Sequence, residues 1–251
     1  MWKKIIGATV LTGASIVAYM FKVAHENTMK THMLRLRGQR EQLRIFFISD
    51  VHARRIDDAL LEKMRRVDVI IIGGDFCDER VTLAEVERNI QKLVQIAPTY
   101  FVWGNNDREL GEEALTALFE RYGVHVLNNE NVRLTNYNNP WVLAAINDTS
   151  KRDYNIDEAF KGTTDDDFVI YISHNPQVFA RTVPTYKPVL MLGGHLHGGQ
   201  IRFGRFGMHE NGAFVKKATH AELISNGYGT TLVPLRLGAH PEAHIIDIHV
   251  E

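Results

Sequence analysis

Cysteine is almost missing from this chain. Cys77 is the only one in 251 residues, so neither an internal disulfide nor a cysteine-based zinc cage can form. Net charge is also close to nil, because 29 Lys and Arg face 30 Asp and Glu. No global field draws the protein towards nucleic acid or acidic surfaces, and nucleic-acid binding is not expected. Beyond residue 43 there is no internal repeat, no low-complexity segment and no long Pro/Gly linker, which leaves one domain as the economical organisation. The content is 45% hydrophobic and 24% charged, enough to bury a large core. Nothing in it implies an obligate protein partner.

One long apolar run is present at the N-terminus. Ile5 to Phe21 is 17 residues without a charge, set between Lys3-Lys4 and Lys22, and as a helix it spans about 26 Å, enough for a bilayer if Lys22 snorkels. A cleavable signal begins the same way, but Tyr19-Met20-Phe21-Lys22 offers no small-x-small site. Residues 1–24 are therefore expected to be a single-pass anchor in the cell membrane. Lys22, Lys30, Arg35, Arg37, Arg40 and Arg44 then face only Glu26 and Glu41, a bias that leans the rest of the chain towards the cytoplasm. Residues 25–42 read as a basic juxtamembrane linker, either touching anionic headgroups or forming a solvated helix. The globular domain is expected over 43–251.

Within it, short apolar runs alternate with helical stripes. Leu43–Ser49 and Val67–Ile72 read as buried strands, as does Thr99–Trp103. Helical spacing appears over Ile56–Arg66, again through Leu83, Val86, Ile90, Leu93 and Val94, and after Asp107, which is placed to cap a helix carrying Leu110, Leu115, Leu118 and Phe119. That alternation predicts a parallel sheet with ligands gathered beyond the strand C-termini. Strands then crowd together: Val124–Leu127, Asn131–Leu134, Trp141–Ile146, Phe168–Ser173 and Val189–Leu192, and near Gln200–Phe203, Ala221–Ser225 and Ala243–Val250, with a helix around Ile156–Phe160. The expected fold is α/β, a two-sheet sandwich flanked by helices.

Five strand ends deliver polar clusters: Asp50-Val51-His52, Gly74-Asp75-Phe76-Cys77-Asp78, Gly104-Asn105-Asn106-Asp107, His174, and Gly194-His195-Leu196-His197-Gly198-Gly199. A lone Asp after a strand is usually a cap, and a lone His is usually satisfied or exposed. Carboxylate, amide and imidazole donors at the ends of five strands have a common use in metal binding. Oxygen and nitrogen donors without thiolate suit Mn²⁺, Fe, Zn²⁺ or Ni²⁺ and do not choose among them.

The series Asp-x-His, Gly-Asp-x-x-Asp, Gly-Asn-x-Asp, His, Gly-His-x-His resembles the calcineurin-like metallophosphoesterase superfamily, from about Leu43 onwards. It looks most like the membrane-anchored bacterial branch, whose last motif reads Gly-His-x-His-Gly-Gly-Gln, as Gly194 to Gln200 do; Gly227-Tyr228-Gly229 to Arg236 and Pro241-Glu242 look like its tail. The resemblance implies a four-layer αββα fold and two divalent ions. Asp50, His52 and His197 would hold one, Asn105, His174 and His195 the other, with Asp75 between them. It further implies a bridging hydroxide that hydrolyses a phosphodiester or pyrophosphate, lipid-linked or nucleotide-linked. Asp78 either fixes a ligand histidine or caps a loop. Arg236 either clamps phosphate or packs.

The chain departs from the family at Asn106, where many members carry a histidine beside the leaving group. Asparagine donates a hydrogen bond but does not titrate near neutral pH, which favours substrates with good leaving groups; His125 and His209 are the possible substitutes. A non-catalytic protein-binding scaffold and a protein phosphatase are the competing readings, the first opposed by retention of all seven ligand positions.

Overall fold

The computed structural model describes Trp2–Met64 and Arg66–Glu251. Met1, at the head of the expected anchor, and Arg65, within the expected helix Ile56–Arg66, lie outside the described residues. Helix α1 (Trp2–Ala24) is exposed almost throughout, and is long and apolar enough to cross a membrane. Met20, Val23 and Ala24, at its end, are buried.

The elements that follow are β1 (Thr28–Leu36), β2 (Glu41–Ile48), α2 (Asp58–Leu61), β3 (Val69–Ile72), α3 (Leu83–Val94), β4 (Thr99–Val102), α4 (Glu112–Arg121) and β5 (His125–Leu127). Then come β6 (Glu130–Arg133), β7 (Trp141–Ala145), α5 (Ile156–Ala159), β8 (Phe168–Ile172), α6 (Phe179–Thr182), β9 (Leu190–Gly193), β10 (Ala213–Lys216), β11 (Ala221–Ile224) and β12 (Glu242–Val250). Two six-stranded sheets result, in the orders β1-β12-β2-β3-β4-β5 and β10-β11-β9-β8-β7-β6. Both are mixed: β2 to β5 run parallel but β12 lies antiparallel to β2, and β10 and β6 are antiparallel to their neighbours.

Side-chain alternation along β2 explains the layering. Leu43, Ile45 and Phe47 face the core between the sheets, where Trp141, Leu143, Ile170, Leu192 and Ile246 meet them. Phe46 and Ile48 point the other way, to Ile90 and Leu93 of α3 and Phe119 of α4. The outer face of the second sheet packs Val142, Val169 and Tyr171 against Ala159, Phe160 and Phe179. Helix α3 starts cleanly because Thr82 and Glu85 form a capping box. The architecture is the expected helix–sheet–sheet–helix sandwich, with the parallel strands of both sheets ending at one edge.

Four details differ from expectation. Residues 25–42 are not a linker: β1 pairs in parallel with β12 along nine residues, Thr28 opposite Glu242 through Leu36 opposite Val250. Its charges disguised it, since an edge strand can carry them outward; Lys30 pairs with Glu242, and Arg35 with Glu251. The helix expected over Ile56–Arg66 shrinks to α2 and a single 3₁₀ turn, Glu62–Met64. Gln200–Phe203 makes only isolated bridges, because Arg202 turns inward and is buried. Strand β10, edge-exposed, offers only Ala213-Phe214-Val215 before Lys216, too short a run to read as a strand.

Because β1 completes the first sheet, a chain beginning at Glu26 is expected to fold, whereas one beginning at Gly38 uncovers β12 and loses buried Leu34. The expected cost is about 3 kcal/mol, a fall of roughly 10 °C in the thermal midpoint. Equal midpoints by circular dichroism would restore the linker.

Candidate metal centre

Each candidate ligand stands on the first turn after a strand, where hydrogen bonds between loops fix the crossing. Asp50 N–H donates to Gly74 O (2.9 Å), His52 N–H to Asp75 O (3.1 Å) and Gly194 N–H to His174 O (2.9 Å). The Asp50 carboxylate reaches the second sheet and accepts from His195 N–H at 3.0 Å. The loops sit so close that a Cβ on Gly194 would strike the Asp50 carboxylate, and one on Gly104 would strike Asp75. Backbone strain collects here as well: Asp50, His52, Asp75, His195 and His197 have φ of 53°, 51°, 49°, 70° and 50°, a region L-residues rarely occupy and one that clusters at functional sites.

Two groups result. Ligand atoms of Asp50, His52 and His197 lie within 4.8 Å of one another, as do those of Asp75, His174 and His195. In the first, His52 Nε2 faces His197 Nε2 at 3.2 Å, and His197 Nε2 stands 3.3 Å from an Asp50 oxygen. His52 Nδ1 is taken by Asp78 at 3.0 Å, leaving the lone pair of Nε2 directed into the group. In the second, His174 Nδ1 donates to Gly73 O at 2.9 Å. Asn105 Oδ1 is buried without a hydrogen-bond partner, which buried polar atoms seldom are, while His174 Nε2 meets only Asp75 Oδ2, at 3.3 Å. The residues therefore fit a pair of divalent ions: converging imidazole nitrogens, an unpartnered amide oxygen and carboxylates on both sides.

Electrostatics agree. Burial opposes the charge on His174, but Asp75, through its charge and its contact, and then Asp50 outweigh burial and raise the ring to about 10. Burial likewise opposes His52, and Asp78, Asp75 and Asp50 prevail, raising it. His197 moves the other way, well below its ordinary value, through burial and the neighbouring His52 and Arg236. Burial works to raise Asp75, yet His174 and His52 hold it low.

Of the flanking residues, Asp78 and Arg236 each take one of the two roles expected of them, and Asp107 does not. Asp78 holds the ring of His52 and is itself clamped by Arg80 through Nε at 3.0 Å. Asp107 does not cap α4, which starts instead after Gly111 at φ 100°. Its carboxylate is fully buried and accepts from Gly104, Asp75, Phe76 and Cys77 N–H at 2.7–3.1 Å, joining the second and third ligand loops. Burial and the nearby Asp75 raise it to about 7. Its place in Gly-Asn-x-Asp was the available signal. Arg236 is wholly buried, not open to a phosphate: it packs behind His197, donating to Gly229 O, Ala239 O and Asn226 O, with Nη2 3.2 Å from His197 Nδ1. Asn106 lies at the rim, its Nδ2 donating to Glu109 Oε1 (2.8 Å) and its Oδ1 accepting from Asn105.

A metal-free His174 raised to about 10 holds a proton at neutral pH, and a ligating nitrogen cannot. Loading the site at pH 7 is thus expected to release protons, with affinity rising as pH climbs towards that value. Titration calorimetry with Mn²⁺ in two buffers of different ionisation heat reads the release; identical heats would contradict it.

Among known proteins, the family model for calcineurin-like phosphoesterases matches residues 43–199. The Bacillus subtilis (strain 168) protein YpbG is 41% identical over 98% of this chain and 96% of its own length. Phosphodiesterase YaeI of Escherichia coli (strain K12) is 28% identical over 63% of this chain and 62% of its own. In fold, the chain is similar to the NAD nucleotidase of Haemophilus influenzae, with a TM-score of 0.50 at 14% identity, covering 76% of this chain and 46% of that one. With the family match spanning both candidate ligand groups, the chain belongs to the calcineurin-like phosphoesterase family and is a metal-dependent phosphoesterase.

Proposed function

We propose that this protein hydrolyses a phosphodiester or pyrophosphate, lipid-linked or nucleotide-linked, with two divalent ions, tethered to the membrane by α1 with its domain on the cytoplasmic side. The observation that carries the two-ion reading is the placement of one carboxylate oxygen: Asp75 Oδ2 lies 3.3 Å from His174 Nε2 and 3.7 Å from His52 Nε2, so it is shared between the two groups. Asp50, His52 and His197 would hold one ion, and Asn105, His174 and His195 the other. When bound, two such ions draw charge from the phosphate oxygens and acidify water for in-line attack. A phosphodiester is favoured by the similarity to YaeI, whose name is that of a phosphodiesterase.

The chain's own side chains then set the chemistry. Asp78 and Gly73 O hold the His52 and His174 rings in place, and Asp107 keeps the loops of Asp75 and Asn105 in register. Asn106 spends one amide hydrogen on Glu109; its second is free to bond a phosphate oxygen. It has no proton to give a departing alkoxide, so the site suits leaving groups that are already acidic. His125 opens β5, stacked on Tyr100 at 5.2 Å, at the opposite end of the sheet from the ligands. The His209 backbone lies against Gly199, two residues beyond His197.

Full-length protein loaded in turn with Mn²⁺, Fe²⁺, Zn²⁺ and Ni²⁺ is expected to cleave bis-p-nitrophenyl phosphate and to select among nucleotide-linked pyrophosphates. Asp75→Asn should lower kcat/KM by more than about 100-fold, while Asp78→Asn should fall in the roughly 10–100-fold range of an outer-shell partner. Over a series of aryl leaving groups, Asn106→His should speed the poorest by about 10²-fold or more and the best little. Two bound ions with no hydrolysis under any metal would contradict the enzymatic reading, and an unchanged leaving-group slope the role of Asn106.

A further inference from the structure

The last ligand loop runs straight into an exposed apolar lip. Phe203, Phe206, Met208 and Leu232 are 72%, 70%, 85% and 88% exposed, an arrangement a water-facing surface has no reason to keep. They do not hang from a loose loop. Phe203 and Phe206 exchange N–H···O bonds of 2.8 and 3.0 Å across Gly204-Arg205, a tight turn with Gly204 at φ 57°. Buried Arg202 holds that turn from behind, donating through Nε to Gly204 O at 3.0 Å and through Nη1 to His209 O and Gly198 O at 2.7 and 3.0 Å. The second finger is equally fixed. Gln200 Nε2 donates to Thr231 O and Val233 O, both at 3.0 Å, and Gln200 Oε1 accepts from Thr231 N–H, so Leu232 projects between two anchored residues at φ 57°.

The partner of this lip follows from how α1 joins the domain. Its charge-free run reaches Phe21, and Val23 and Ala24 are already buried in the domain. No spacer intervenes. Arg236 N–H donates to Met20 O at 3.1 Å, which docks the end of α1 on the same short segment that carries Leu232 and Val233. A helix leaving a bilayer at Phe21 therefore brings that segment to the bilayer surface.

We infer that Phe203, Phe206, Met208 and Leu232 form a bilayer-inserting lip that seats the metal centre at the lipid headgroups, making phosphates borne on membrane-embedded molecules its substrate class. Aromatic and aliphatic tips with a cation among them suit the interface; Arg205 lies 5.2 Å from the Phe206 ring. His197 is six residues from Phe203, and the chain between them holds both the ligand loop and the buried Arg202. Insertion would thus set the distance of the metals from the membrane. The inference rests on the membrane residence of α1 proposed above.

Cys77 is buried, which permits single-site labelling of the full chain. Phe206→Cys, Met208→Cys and Leu232→Cys, with Glu113→Cys on exposed α4 as reference, would carry an environment-sensitive fluorophore in vesicles of neutral and anionic phospholipid. The first three labels are expected to shift to the blue and to lose emission to a nitroxide on the acyl chains, while the label at 113 responds only to a quencher in water. Labels at 206, 208 and 232 behaving like that at 113 would overturn the lip while leaving the anchor intact. Energy transfer between labelled copies at high dilution in lipid would also overturn it, assigning the surface to a second chain. Failure of the chain to enter vesicles would overturn anchor and lip together, and hydrolysis of soluble bis-p-nitrophenyl phosphate in detergent would show the catalytic reading separately.

Discussion

Negative charge buried at the meeting edge of two sheets is the constraint on which the rest of this structure depends. Asp50, Asp75 and Asp107 are almost wholly withdrawn from water, and an ionised carboxylate in that position is costly unless something positive stands beside it. The chain answers in two ways. Asp107 accepts from four backbone N–H groups, which favour its charge, while burial and Asp75 still push it towards neutrality. Asp50 and Asp75 face imidazoles instead, and draw protons onto His52 and His174. A divalent ion would supply that positive charge in place of the proton on His174, with the unpartnered Oδ1 of Asn105 beside it.

That demand explains features that would otherwise be liabilities. Left-handed backbone at five non-glycine ligands, and glycines that admit no side chain behind Asp50 and Asp75, persist because two rigid sheets overdetermine the loops between them. Buried Arg236 belongs to the same account: its cation is spent on carbonyls behind His197 and on the Nδ1 of that ring, 3.2 Å away. On the His52 side, Arg54 stacks on Tyr228 at 3.8 Å and donates to Glu26 O and Asn27. The exit of α1 is thereby tied to the loop carrying His52, so α1 and the candidate metal centre are mechanically one unit.

Most of the candidate centre was legible because its residues are local in sequence: an apolar run announces each strand, and the polar cluster after it announces the candidate ligand. The sandwich was legible for the same reason, since Leu43 to Ser49 and Phe168 to Ser173 are too apolar to be anything but interior strands. What escaped was non-local. Strand β1 exists only because β12, more than two hundred residues later, offers it an edge. Asp107 looked like a helix cap because a cap and a loop staple use the same side chain, and only the approach of Asp75 to within hydrogen-bond reach distinguishes them. Arg236 and Arg202 are cations turned inward, against the statistics of their kind. The exposed Phe203 and Phe206 carried no periodicity that marked them as a surface.

The most direct test of the two-metal account is anomalous diffraction from crystals grown with Mn²⁺. Two peaks are predicted about 3.5–4 Å apart, one among Asp50, His52 and His197 and one among Asn105, His174 and His195, with Asp75 between them. A single peak, or a pair placed away from Asp75, would contradict it.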